Sequence, residues 1–154
     1  MLQQEGVAAE RVGYVGHRYG AVAGGVLAGI EPRFRAFVLL GGMASEAEHI
    51  RINKSPYWQE MRDRMTPDEF ESTLKPIEST DPAAYLPSAE APLLVQCARL
   101  DTPDNVAGCP KVHELAGGPK RLVWYDDDHH FTSWEAARDR LQWFAKYPGI
   151  KRVR

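Results

Sequence analysis

Apolar positions in this chain gather into short unbroken runs, separated by stretches with helical or mixed spacing. Ala36-Phe37-Val38-Leu39-Leu40 is apolar throughout and stops at Gly41-Gly42. Such a run suits a strand buried on both faces, as in a parallel sheet. Pro92-Leu93-Leu94-Val95-Gln96-Cys97-Ala98 reads the same way. Residues 11–16 and 120–125 predict two more strands, the first ending at the turn residue Gly16. Residues 19–28 predict a helix made largely of Gly and Ala. Each Gly costs a helix about 1 kcal/mol against Ala, so the composition points to a helix pressed too closely on a sheet for larger side chains. Residues 112–116 predict a helix ending at Gly117-Gly118. Thr132, as N-cap with Glu135 as its capping-box partner, starts a last helix that ends at Pro148-Gly149. In that helix Trp134, Ala137, Leu141 and Phe144 recur at helical spacing and are expected to face the core.

Residues 44–89 break the pattern. They are charged and helical in places, with Thr66-Pro67-Asp68-Glu69 and Asp81-Pro82 as helix starts. The order strand, helix, strand, excursion, strand, helix, strand, helix predicts an α/β fold. It should be a three-layer sandwich around a parallel sheet of about four strands, with right-handed crossovers. One domain over residues 1–154 is expected, with 44–89 inserted in it like a helical lid.

Composition narrows the possible partners. At 154 residues, 44% hydrophobic and a net charge of −2, this is an ordinary globular chain with no broad basic surface. Nucleic acid is therefore not expected as a partner. The closing Lys151-Arg152-Val153-Arg154 reads as a short solvated tail. No apolar leader follows Met1, and the apolar stretch at residues 21–30 is glycine-laden and too short to span a bilayer, so no membrane is expected. Cys97 and Cys109 do not form a disulfide framework by count. Cys97 is expected to pack as a reduced, small hydrophobe, with the cytoplasm as the default compartment. The four tryptophans read as core or lid packing.

The chemistry concentrates at Gly16-His17-Arg18-Tyr19-Gly20, a Gly-x-x-x-Gly frame between a strand and a helix. This is the frame of a nucleophile elbow, in which the central residue sits on a strained turn and its flanks must be small. On these residues the sequence resembles the α/β-hydrolase superfamily, above all the branch of dienelactone hydrolases and acyl-peptide-cleaving enzymes. The resemblance covers nearly the whole chain, as the C-terminal half of that fold. It implies a catalytic acid at Asp101, after the strand at 92–98, and a histidine at His129, with His130 as the alternative. It also implies an oxyanion-hole N–H at Tyr19. The chain order nucleophile, acid, histidine is the one that fold uses.

Two departures stand out. Arg18 occupies the serine's place, and a guanidinium protonated above pH 12 is no nucleophile. The chain also begins just before the elbow strand, where the family has four more strands. A truncated record, a covering second chain or a remodelled edge would each answer the open edge. The expectation is therefore an α/β-hydrolase-like protein with little or no serine-hydrolase activity as written. One alternative is a truncated or altered ester- or peptide-bond hydrolase working through an acyl-enzyme. Another is an anion-binding or assembly module, holding a small anionic or ester ligand or forming a homo-oligomer through its strand edge. For Arg18 itself the plainer expectation is an ion pair with Asp101, the sharper one an anion site. Asp126-Asp127-Asp128-His129-His130 contains metal-ligand residue types, but neighbours in sequence rarely converge on one ion, and neither metal nor cofactor is expected.

Overall fold

A computed structural model describes residues 8–148. The basic tail, Gly149 and the first residues lie outside that range. Four strands form one sheet: β1 (Tyr14–His17), β2 (Phe37–Leu40), β3 (Leu93–Ala98) and β4 (Lys120–Tyr125). They are all parallel, in the spatial order β1-β2-β3-β4. Every strand therefore ends at the same rim. β2 and β3, the central pair, are buried at every residue.

Helices cover both faces. α1 (Tyr19–Ile30) and α6 (Pro103–Leu115) enclose a core with Phe37, Leu39, Leu93, Val95 and Val112. α7 (Trp134–Lys146) covers the other face, packing Ala136 and Trp143 into one core with Val38, Leu40 and Leu94. These are the three layers of an α/β sandwich. α1 does lie close to the sheet: a methyl at Gly24 would come within 2.5 Å of Leu39 and Tyr14.

Between β2 and β3 run α2 (Glu46–Ile52), α3 (Pro56–Asp63), α4 (Pro67–Glu78), α5 (Pro82–Tyr85) and the 3-10 turn Leu86–Ser88. Thr66 and Glu69 form the reciprocal capping box that starts α4. Ala47, Ile50, Phe70 and Leu74 make a small core of their own, while Leu86 joins the main one. Asp81 ties the excursion to its root by accepting from the Glu46 amide at 2.7 Å. β1 forms the sheet's edge, and among the described residues nothing pairs with its outer side.

Four expectations need correction. α6 begins at Pro103, nine residues before the start read from sequence, and runs through Gly108 and Pro110. The N-cap of α7 is Ser133, not Thr132: the Ser133 hydroxyl accepts from the Ala136 amide at 3.4 Å. The inward face of α7 is Ala136, Asp139 and Trp143. Trp134 and Leu141 are 60% and 49% exposed. A buried polar cluster keys this helix. Tyr125 donates to Asp139 at 2.9 Å, Gln96 donates to Tyr125 at 2.8 Å, and Arg140 donates to Gln96 at 3.0 Å. Burial pushes the Tyr125 phenol up to about 12. Finally, Cys97 is not a free thiol. It is disulfide-bonded to Cys109, because the β3–α6 connection folds back and sets their Cα atoms 5.9 Å apart. The bond removes the argument for a reducing compartment that rested on this cysteine.

Candidate functional site

The site forms where β1, β3 and β4 end on the shared rim. Arg18 follows β1 with φ 53° and ψ −117°. Only it and Phe131 have positive φ among the described non-glycine residues, and both belong to this site. A side chain in that region is strained by about 1–3 kcal/mol unless its surroundings hold it. They do here: the Arg18 amide donates to the Leu40 carbonyl at 3.1 Å, and its carbonyl accepts from Val22 at 2.9 Å. A Cβ at Gly16 would overlap the Gly20 carbonyl oxygen and lie 2.8 Å from the Ala21 amide nitrogen, so Gly16 has to be glycine. Gly20 is different. Its Cβ position is open, contrary to the expectation that both flanks must be small.

Asp101 lies just beyond β3, with its side chain 1% exposed. Its Oδ1 accepts from the Thr102 amide at 2.7 Å and from Asn105 Nδ2 at 3.0 Å. Burial pulls this carboxyl upward in pKa. The bonds from Asn105, Thr102 and His129 more than offset it, leaving the group below the usual aspartate value. His129 Nδ1 lies 3.0 and 3.1 Å from the two carboxylate oxygens. His130 makes no such contact; its ring is edge-on to that of His129, with centroids 5.7 Å apart.

The loop carrying His129 is shaped by Asp127, which accepts from the amides of Asp128 at 3.0 Å and Ser133 at 2.8 Å. His17, from the elbow itself, reaches across to the His129 carbonyl at 2.7 Å. A carbonyl only accepts, so His17 carries its proton on Nε2. Burial lowers the His17 pKa, against the partial support of this bond.

Arg18 Nη1 lies 3.4 Å from His129 Nε2. A guanidinium only donates, so this contact requires a lone pair on Nε2 and places the ring proton on Nδ1, toward Asp101. The ion pair expected between Arg18 and Asp101 does not form. The carboxylate is enclosed and already taken by Thr102, Asn105 and His129. The Tyr19 N–H belongs to the first turn of α1, where helix geometry gives it no carbonyl partner. The Tyr19 side chain is 72% exposed, with its hydroxyl 3.5 Å from Glu46.

Sequence reading had not singled out Asn105, His17 or Glu46. Asn105 carried a signal, standing four residues after Asp101, and His17 lay within the motif. Glu46 had none, because only the fold of the excursion brings α2 over the elbow. There a cavity of about 110 Å³ is lined by Arg18, Tyr19, Met43, Glu46, Trp58 and Asn105, among others. In the loop itself Asp126 is paired with Arg99 at 2.9 Å, and Asp128 accepts from the His130 amide at 2.8 Å. Among the described residues no helix is long and apolar enough to cross a membrane.

No family model matches the chain, and no curated protein does. Solved structures do. An acetyl xylan esterase from Paenibacillus sp. R4 superposes with a TM-score of 0.74 at 18% identity, over 94% of this chain and 48% of that one. Pyrococcus horikoshii acylaminoacyl peptidase gives 0.68 at 16% identity, over 87% of this chain and 23% of that one. Porphyromonas gingivalis dipeptidyl peptidase 4 gives 0.70 at 18% identity, over 95% and 21%. The chain thus spans about half or less of the length of each. At such identities the likeness speaks for the fold, and the fold is that of part of an α/β-hydrolase.

Proposed function

We propose that this chain is a hydrolase-like domain without serine-hydrolase activity as written. One observation carries the reading. The side chain at the elbow is Arg18, and it donates toward Nε2 of His129, the atom that would have to take a proton from a nucleophile. The histidine has no hydroxyl to activate and instead faces a permanent cation. Loss of a triad nucleophile removes most of the rate enhancement, on the order of 10⁶-fold. The test is incubation with a serine-directed fluorophosphonate, alongside hydrolysis of a p-nitrophenyl ester against a heat-killed control. No labelling and no excess hydrolysis are expected. Stoichiometric labelling would overturn the proposal.

A second reading is favoured by what remains intact. Asp101 holds His129 by Nδ1, and the elbow keeps its strained backbone. In this reading the chain is an altered piece of an ester- or peptide-bond hydrolase, of the dienelactone-hydrolase and acyl-peptide-cleaving kind. With serine at position 18, His129 acts as general base, Asp101 as its orienter and the Tyr19 N–H as an oxyanion donor toward an acyl-enzyme. Arg18→Ser tests it directly: the variant should acquire fluorophosphonate labelling that Arg18→Ser combined with His129→Ala lacks. A folded Arg18→Ser variant that stays unlabelled refutes this second reading.

A further inference from the structure

Opposite charges line the cavity over the elbow without neutralising each other. Arg18 contributes a guanidinium and Glu46 a carboxylate, and among the described residues neither stands in an ion pair. Asp101 is not available to Arg18, since its oxygens are enclosed and taken. Glu46 has only a 3.5 Å contact from the Tyr19 hydroxyl. His49, which also lines the cavity, is no partner for Glu46. Its Nε2 faces Asn53 at 3.0 Å and its Nδ1 faces Asp104 at 3.8 Å. The rest of the wall is largely apolar, with Val22, Met43, Ile50 and Trp58.

A cavity with one cation, one anion and apolar walls matches a ligand with the complementary pair of charges and an apolar body. We propose that this cavity binds a small apolar α-amino acid as its zwitterion, carboxylate on Arg18 and ammonium on Glu46. The inference rests on the reading that residue 18 acts as a charge and not as a nucleophile. A planar guanidinium offers a carboxylate two parallel N–H donors, and a carboxylate such as Glu46 accepts readily from an ammonium. A plain fatty acid would leave Glu46 facing its tail, and a plain amine would set its charge near Arg18. Each singly charged analogue pairs with only one of the two charged side chains, which disfavours both.

Titration calorimetry distinguishes these ligands. The probes are L-leucine, 4-methylpentanoate, which lacks the amine, and 3-methylbutylamine, which lacks the carboxylate. Leucine should bind, with each singly charged analogue weaker by at least about tenfold. Arg18→Gln should abolish leucine binding. Glu46→Gln should erase the preference for leucine over 4-methylpentanoate. An unchanged melting temperature in Glu46→Gln keeps the test valid if Arg18→Gln folds poorly. Absence of heat with leucine at millimolar concentration, or equal binding of either analogue, would overturn the proposal. Fluorophosphonate labelling of the same preparation reports on the non-catalytic reading separately: labelling sinks that reading, and a silent titration sinks this one.

Discussion

The two glycines that frame the elbow should respond in opposite ways to the same added methyl. At Gly16 a Cβ overlaps the Gly20 carbonyl oxygen and stands 2.8 Å from the Ala21 amide nitrogen. Both obstacles are backbone, so the first turn of α1 has to move. That same Gly20 carbonyl accepts from the Tyr14 hydroxyl at 2.7 Å, so the movement also strains a half-buried hydrogen bond. Overpacking costs about 1–3 kcal/mol, and losing the bond adds roughly 1. Gly16→Ala should therefore destabilise the domain by about 3 kcal/mol. At Gly20 a Cβ meets nothing within 4 Å beyond its chain neighbours and the backbone of its own helix, and the residue lies in the first turn of α1. Gly20→Ala should be neutral, or stabilising by up to about 1 kcal/mol through helix propensity. Urea unfolding followed by tryptophan fluorescence reads the difference. With a slope of about 1–3 kcal/mol per molar, the Gly16→Ala midpoint should fall by roughly 1–3 M while that of Gly20→Ala holds. Equal midpoints for the two variants would refute the elbow geometry described above.

Reducing the Cys97–Cys109 bond, whose cysteines are 12 residues apart, should cost about 3 kcal/mol of stability. The check is the urea midpoint with and without dithiothreitol; no change would show the bond to be absent. The His17 ring should titrate below the usual histidine value of about 6.5, because its neutral form is favoured in the fold. Its contribution to stability is present above that pH and lost as pH falls through the lower folded value; ring-proton NMR titration tests this, and an elevated pKa contradicts it. Asp127 has its carboxyl pulled up by burial but pulled down further by Ser133 and Asp128. The folded value is depressed, so its contribution is complete above the usual aspartate pKa of about 4 and disappears as pH falls below it. Asp127→Asn should therefore be less stable than the parent at neutral pH and flatter across pH 2–5, measured by unfolding at each pH.

The central strands were legible because burial on both faces demands apolar residues at every position, as in Phe37 to Leu40. The elbow was legible because Gly16 answers a steric demand that no other residue meets. Other features needed the fold. The apolar spacing of Trp134 and Leu141 misled because α7 is keyed inward by Asp139 and Arg140, which satisfy one another's neighbours across the sheet. Gly108 and Pro110 hid the first turns of α6, since neither favours a helix interior. Cys97 and Cys109 looked unrelated because only the return of α6 against β3 brings them together. Glu46 was invisible as a site residue for the same reason: it reaches the elbow through tertiary structure alone.

The bond between Cys97 and Cys109 has a topological consequence for the site. It closes the chain into a covalent ring, and Asp101, Thr102 and Asn105 all lie on that ring. The carboxylate therefore travels with two of its donors as one unit, whatever the rest of the rim does. His129 follows β4 and Arg18 follows β1, the two edge strands of the sheet. The acid and its cradle thus form one covalent unit that Arg18 and His129 approach from opposite edges of the sheet, so neither partner's strand needs the other to reach it.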